Sequence, residues 1–183
     1  FDGRICSSTM KSLIPIESSS QELHRSICRG DLKAVRILLE HGADASKICI
    51  RDHTPLHVAC IMYDINSYPS DETDRQLSAR LGIVRELLER GADVEAKRTA
   101  NNVVHNLTPL FDALRYGVAG YKLVSMLLEY GSDALATAFV KTPYHESYVN
   151  AIEHMVPNLL TLSCYDYNSV PNVFALLLDY GVD

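Results

Sequence analysis

The stretch VRILLEHGAD at 35–44 returns as VRELLERGAD at 84–93, VSMLLEYGSD at 124–133 and FALLLDYGVD at 174–183, and its reading decides the fold. Each copy carries an apolar residue, paired leucines three positions on, an acid, a variable residue, Gly, a small residue and Asp. Val35, Leu38 and Leu39 sit at i, i+3 and i+4, which puts them on one face of an α-helix and requires that face to be buried. Gly42, Gly91, Gly131 and Gly181 fall just past the last periodic residue, where a helix ends in a left-handed residue that glycine adopts cheaply. The Asp two residues later is placed to accept from nearby backbone N–H groups and open the next turn. One copy signals only an amphipathic helix with a glycine stop; four in register signal a repeat.

A shorter phrase precedes each copy. It reads TPLHVAC at 54–60 and TPLFDAL at 108–114, with Leu23-His24-Arg25-Ser26-Ile27 in the corresponding place of the first unit and Leu159 to Cys164 in that of the last. Thr followed by Pro starts a helix, with a hydroxyl at the N-cap and, at the first helical position, a ring that has no N–H to lose. A small residue (Ser26, Ala59, Ala113, Ser163) recurs at one site, as two closely crossing helices require.

Together the two phrases resemble the signature of the ankyrin repeat family, TPLH-x-A-A followed by LLL-x-x-GAD, over residues 21–183. The resemblance implies an all-α, ankyrin-repeat solenoid of stacked antiparallel helix pairs with β-turn fingers, and a concave surface of fingers and first helices that binds other proteins. It also implies that the histidine of the LH pair (His24, His57) is structural and hydrogen-bonds the finger turn. The repeats are expected at about 21–44, 54–93, 108–133 and 158–183, with 1–20 as an N-terminal extension. The chain stops straight after a helix end with no polar capping repeat, so a piece of a longer protein is expected.

The spacing is not uniform. From first-helix Thr to terminal Gly it is 37 residues in the second unit (Thr54 to Gly91) but 23 in the third (Thr108 to Gly131) and 23 in the fourth (Asn158 to Gly181). The family value is about 21 within a period of about 33. The second unit therefore carries an insertion near Tyr63 to Gln76, polar and acidic, read as an exposed loop whose last part extends the second helix from Ser70 or Asp71. Gly42 to Thr54 is 12 residues, whereas Gly91 to Thr108 is 17 and Gly131 to Asn158 is 27, so the second and third fingers are enlarged. Thr142-Pro143-Tyr144-His145 offers a rival start for the fourth unit. The Asn158 register is preferred because the third unit shares its spacing and Ser163-Cys164 matches Ala59-Cys60; it leaves Tyr144 to His154 as an extra short helix in the third finger.

Composition bounds the function. A content of 47% hydrophobic and 22% charged residues is that of a folded globular chain. The net charge is −6 with no cluster of Lys and Arg, which speaks against nucleic acid and anionic membrane as partners. No apolar run is long enough for a membrane span or a signal peptide. Five scattered cysteines without a CxxC pair argue against a disulfide framework and a zinc site, and place the chain in a reducing compartment, cytoplasmic or nuclear. No HExxH pattern and no Gly-rich phosphate loop occurs, so no metal or cofactor is expected. His57 and Cys60 share a helix face, yet the pair reads as a structural histidine beside a small packed thiol rather than as a nucleophile with its base. The sequon at Asn106 reads as coincidence, with Thr108 turn-forming and buried.

Binding residues are expected at finger tips on a rigid scaffold. These are Lys47, Arg51, Asp52 and His53 in the first finger, and Glu95, Lys97, Arg98, Asn101, Asn102 and His105 in the second. Eight of ten tyrosines lie from Tyr116 onward, and Tyr121, Tyr144 and Tyr148 join the candidates because tyrosine suits interfaces. Reversing the charge at Lys97 and Arg98 is expected to weaken partner capture without lowering Tm. The function expected is a non-catalytic protein–protein interaction module, an adaptor or substrate-recruiting domain. The alternative is a regulatory segment packed against a catalytic or channel domain of the same longer protein.

Overall fold

The computed structural model describes residues 16–48, 52–61, 70–100, 104–114, 117–141, 146–150, 175–177 and 179–180. Three helix pairs follow one another: α1 (Ile16–Cys28) with α2 (Leu32–Glu40), α3 (Pro55–Cys60) with α4 (Ser70–Glu89), and α5 (Pro109–Leu114) with α6 (Gly117–Glu129). The first helices pack in the order α1, α3, α5 and the second helices in the order α2, α4, α6. Each apolar stripe is thus buried against its own partner and the next pair, and Val35, Leu56, Ile83, Leu87, Leu110, Leu123 and Leu127 form one continuous core. A lone pair has no such cover, which is why neighbours must stack. The recurrent small site holds Ser26, Ala59 and Ala113, all buried. Residues 175–177 are helical and Leu177 joins the same core; Ser163 and the rest of the expected first helix of the fourth unit lie outside the described residues.

The glycine stops close three helices in one way. Gly42, Gly91 and Gly131 have φ of 89°, 81° and 89°. Each glycine N–H donates to the carbonyl three residues back (Leu39, Leu88, Leu128), and the next N–H donates five residues back (Leu38, Leu87, Leu127), at 3.0–3.1 Å. This is the Schellman pattern, which satisfies carbonyls that a helix end leaves open. The following Asp then accepts from the N–H two residues on: Asp44 from Ser46, Asp93 from Glu95 and Asp133 from Leu135, at 2.8–2.9 Å. The helix start is equally local. Thr54 caps α3 through its side chain with Pro55 at the first position, and Asp31 caps α2 by accepting from the Ala34 N–H at 3.0 Å.

The helix pairs agree with the expected helical repeat, and the fingers add strands that an all-α fold lacks. The second finger holds β1 (Arg98–Ala100) and β2 (Val104–Leu107), the third holds β3 (Thr137–Lys141) and β4 (Glu146–Asn150), and the four strands form one antiparallel sheet in the order β1-β2-β3-β4. The extra length of these two fingers gives each arm enough residues to be a strand. Val, Thr, Phe and Tyr on those arms favour a pleated, half-buried surface. The short helix expected over Tyr144 to His154 is also corrected, because Glu146–Asn150 is strand and pairs with β3 along its whole length. A first helix starting at Thr142 is incompatible with that pairing, although 142–145 themselves lie outside the described residues. The 62–69 part of the inserted segment is likewise outside them, and its end is the start of the 20-residue α4 at Ser70. At the other end α1 begins at Ile16, within the segment expected as an extension.

A Cβ at Gly42, Gly91 or Gly131 meets nothing within 4 Å, so only the backbone conformation opposes a side chain there. Gly131→Ala is expected to lower unfolding free energy by about 1–2 kcal/mol, the cost of a left-handed non-glycine residue, read as a lower urea midpoint with an unchanged m-value.

Candidate functional site

The sheet is fastened to the helices by its inner face and by two polar clamps. On the inner face Leu107, Phe111 and Ala138 form a small buried cluster with Ala136 and Val149 against it, joining α5 to β2, β3 and β4. The first clamp is His57, fully buried on α3. Its Nε2 lies 3.0 Å from the Leu107 carbonyl at the end of β2. A carbonyl only accepts, so Nε2 carries the proton, and Nδ1 accepts from the Thr54 hydroxyl at 2.8 Å. One imidazole thereby joins the start of its own helix to the finger that follows. Burial, the largest cause, pushes the His57 pKa down from 6.5 to about 4, against the Leu107 hydrogen bond and Asp112, which raise it.

The second clamp is an ion pair. Arg98 on β1 donates from Nε to Asp112 Oδ2 at 2.9 Å, and from Nη2 to Asp112 Oδ1, while only 5% and 1% of the two side chains is exposed. Asp112 stands in α5 where Val58 stands in α3. A carboxylate in that apolar position demands a cation, and the enlarged second finger supplies it. Two further links tie neighbouring units. Glu95 accepts from the Ser132 hydroxyl and the Asp133 N–H, both at 2.9 Å, and buried Arg80 on α4 reaches the Val58 and Cys28 carbonyls at 3.4 and 3.3 Å. In α5 Phe111 replaces the histidine, and the buried Thr108 Oγ1 is left without a hydrogen-bond partner.

The outer face of the sheet carries a row of side chains running across the strands. Thr99 Oγ1 lies 3.3 Å from His105 Nδ1. His105 faces Phe139 and Phe139 faces Tyr148 in the strand registers, with ring centroids 6.1 and 5.0 Å apart. Tyr148 ends the row and is 68% exposed.

The candidate residues therefore separate. His105 and Tyr148 are brought together in this row, and Lys97 is exposed just before β1. Arg98 is buried in its ion pair, so the expectation that its reversal leaves Tm unchanged is corrected. Glu95 is engaged in joining two turns. Asp52 is exposed with φ of 60°, and His53 packs its ring edge against His57 with centroids 6.2 Å apart; Lys47 is half-buried in the first finger. Tyr121 lies elsewhere, on a groove between α4 and α6 lined also by Leu81, Arg85, Lys122 and Met126. Arg51, Asn101, Asn102 and Tyr144 lie outside the described residues. Phe139, Thr99, Asp112 and Arg80 escaped the sequence reading. The alternation in TAFVK marks Phe139 as a strand residue, and an acid inside the apolar TPLFDAL marks Asp112 as a paired group.

The Cys60 thiol is fully buried, and desolvation chiefly, with Asp112, pushes its pKa up. With His57 pushed down, the two groups stay neutral and form no thiolate–imidazolium pair. Among the described residues no group of three or more His, Cys, Asp or Glu side chains is placed to hold a metal, and no helix is long and apolar enough to cross a membrane.

Among the described residues, helix pairs stopped by left-handed glycines, with fingers projecting between them, define a helical-repeat arrangement. Residues 51–99, from the first finger through α3 and α4 to β1, match the ankyrin repeat family model. That segment is similar to ankyrin repeats, and repeats of that family generally mediate protein–protein interactions. No curated protein is similar enough to the chain to count as a match.

Two outcomes follow from the clamps. Asp112→Leu alone leaves Arg98 buried without a counter-charge and is expected to cost about 3–5 kcal/mol in urea unfolding, most of which the double variant Arg98→Met, Asp112→Leu recovers. For His57, the unfolded chain takes up a proton below about pH 6.5 that the folded one refuses until about 4. Its contribution is complete above 6.5 and is lost as the pH falls toward 4, amounting to about 1.4 kcal/mol between pH 7.5 and 5.5. His57→Gln is expected to flatten that part of the stability profile.

Proposed function

We propose that this chain is a non-catalytic protein-recognition module, acting in the cytosol or nucleus as an adaptor or substrate-recruiting domain. In this reading the helix pairs continue as a four-unit solenoid, and a partner protein or peptide is held on the outer face of the finger sheet. The observation that carries the reading is the row Thr99, His105, Phe139 and Tyr148. Three rings, two of them with polar atoms (His105 and Tyr148), stand side by side beside the Thr99 hydroxyl on a sheet whose inner face packs on the helices. Such rings offer large contact area at a low cost in side-chain entropy, and a fixed platform leaves little ordering to be done on binding. Lys97 at the entrance to β1 adds an exposed charge that selects among partners. No reaction is assigned, because the buried His57 and Cys60 are held neutral and serve packing.

The test is capture by the immobilised domain, compared across faces of the molecule. His105→Ala and Lys97→Glu are expected to reduce the bound partner at least about tenfold with Tm unchanged, while Arg85→Glu on the helical side leaves capture intact. Equal capture by all three would remove the finger sheet as the binding surface.

A further inference from the structure

The two junctions between second helices occupy equivalent places in the repeat and are built differently. At the first, α2 against α4, Leu32 lies over Gly82. A Cβ on that glycine would come within 2.7 Å of Leu32 Cδ2, so the leucine seats there because the residue beneath it has no side chain. Beside it Arg36 reaches across to α4 and donates from Nε to Glu86 at 2.9 Å. An apolar filler and a paired charge together close this seam.

The repeat carries the same positions to the second junction, α4 against α6. Aligned on the ten-residue phrase, Leu81 stands where Leu32 stands and Arg85 where Arg36 stands. The residues opposite them are changed: Lys122 replaces Gly82, and Met126 replaces Glu86. Lys122 denies Leu81 the seat that Leu32 takes, and Met126 offers Arg85 no carboxylate. A groove of about 270 Å³ lies at this seam, with Leu81, Tyr121 and Met126 as its apolar part and Arg85 and Lys122 as its cations. Both cations are exposed, and among the described residues neither has an ion-pair partner. The acid in the lining, Glu129, accepts from the Ser125 hydroxyl at 3.2 Å instead.

We infer that this groove binds a short acidic segment of another protein, with an aliphatic side chain on Leu81, Tyr121 and Met126 and a neighbouring Asp or Glu carboxylate held by Arg85 and Lys122. The occupant is read from the first junction, where the chain itself supplies what the second lacks: a leucine that fills the seam and a carboxylate that takes the arginine. A guanidinium can hold a carboxylate through two parallel N–H···O bonds, and the ammonium beside it adds a second positive charge. The groove is smaller than the roughly 300–1,000 Å³ of a small-molecule site, which suits one or two side chains of a peptide. The whole chain carries a net charge of −6, so the attraction is local and favours a segment with one or two acids over a polyanion. The site lies between helices, whereas the partner-binding reading of the fingers rests on the ring row, so each can fail without the other.

Fluorescence anisotropy tests it with two labelled six-residue peptides, one alternating Leu and Glu and the other carrying Gln for every Glu. The wild-type chain is expected to bind the Glu peptide at least about tenfold more tightly than the Gln peptide, with the difference shrinking as salt rises. Met126→Glu places a carboxylate opposite Arg85 as Glu86 stands opposite Arg36, and is expected to weaken the Glu peptide at least about tenfold with Tm kept. Arg85→Glu, at an exposed position, is expected to weaken it equally while capture on the finger sheet stays intact. If Met126→Glu lowers Tm, Arg85→Glu decides alone. Equal binding of the two peptides by the wild-type chain, or binding of neither, overturns the proposal. Glu-peptide binding that survives Arg85→Glu, or that survives in a folded Met126→Glu variant, places the peptide elsewhere and overturns it as well.

Discussion

The two nitrogens of His57 hold two parts of the molecule at once, and the arrangement of the fingers depends on that imidazole. Through Nδ1 it fixes the start of its own helix at Thr54, and through Nε2 it fixes the end of β2 at Leu107. Helix stacking alone, driven by burial of apolar stripes, sets the distance between units but leaves the projecting loops free to hinge. A hydrogen bond made inside the core sets their angle. In a water-poor interior such a bond is strong, and leaving either partner unpaired is costly.

The ion pair of Arg98 with Asp112 extends the same logic to the enlarged second finger. A buried pair adds little stability over well-packed apolar side chains of similar volume, but a misplaced finger leaves a bare carboxylate at the core. The pair therefore selects one seating for β1 over its alternatives. Since β2 pairs with β3 and β3 with β4, the seating of one finger fixes the whole sheet. Glu95, spanning to the Ser132 and Asp133 turn, adds a third tie near the base of the fingers. The outer row of rings stands on strands that are tied to the helices and turns beneath it in three places.

The helical part of this structure was legible in the sequence because its determinants are local and repeated. The glycine that ends each helix, the aspartate that opens the next turn and the Thr-Pro that starts the following helix each act within a few residues, and four copies in register remove coincidence. The sheet was less legible. Strand pairing joins residues from different fingers, such as His105 with Phe139, and no local rule links positions so far apart. Unequal finger lengths signalled that something was built there, and the read-out as loops and a short helix missed the alternation in TAFVK and ESYVN. Arg98 was misplaced for a related reason: a charged residue in a finger ordinarily faces water, and only Asp112, fourteen residues on in an apolar helix, reveals where it goes. The row of rings on the outer face was half visible, through His105 and Tyr148, and incomplete without Phe139, which joins them.

Native-state hydrogen exchange measures the central claim, that the finger sheet is locked to the helices rather than attached by flexible loops. If the clamps hold, amides paired between β2 and β3 open with a free energy close to that of the α5 and α6 core amides, because the sheet cannot separate without breaking His57 and Arg98 from their partners. Exchange of the β2–β3 amides through low-energy openings, while those of the helices remain protected to the global unfolding limit, would contradict the account.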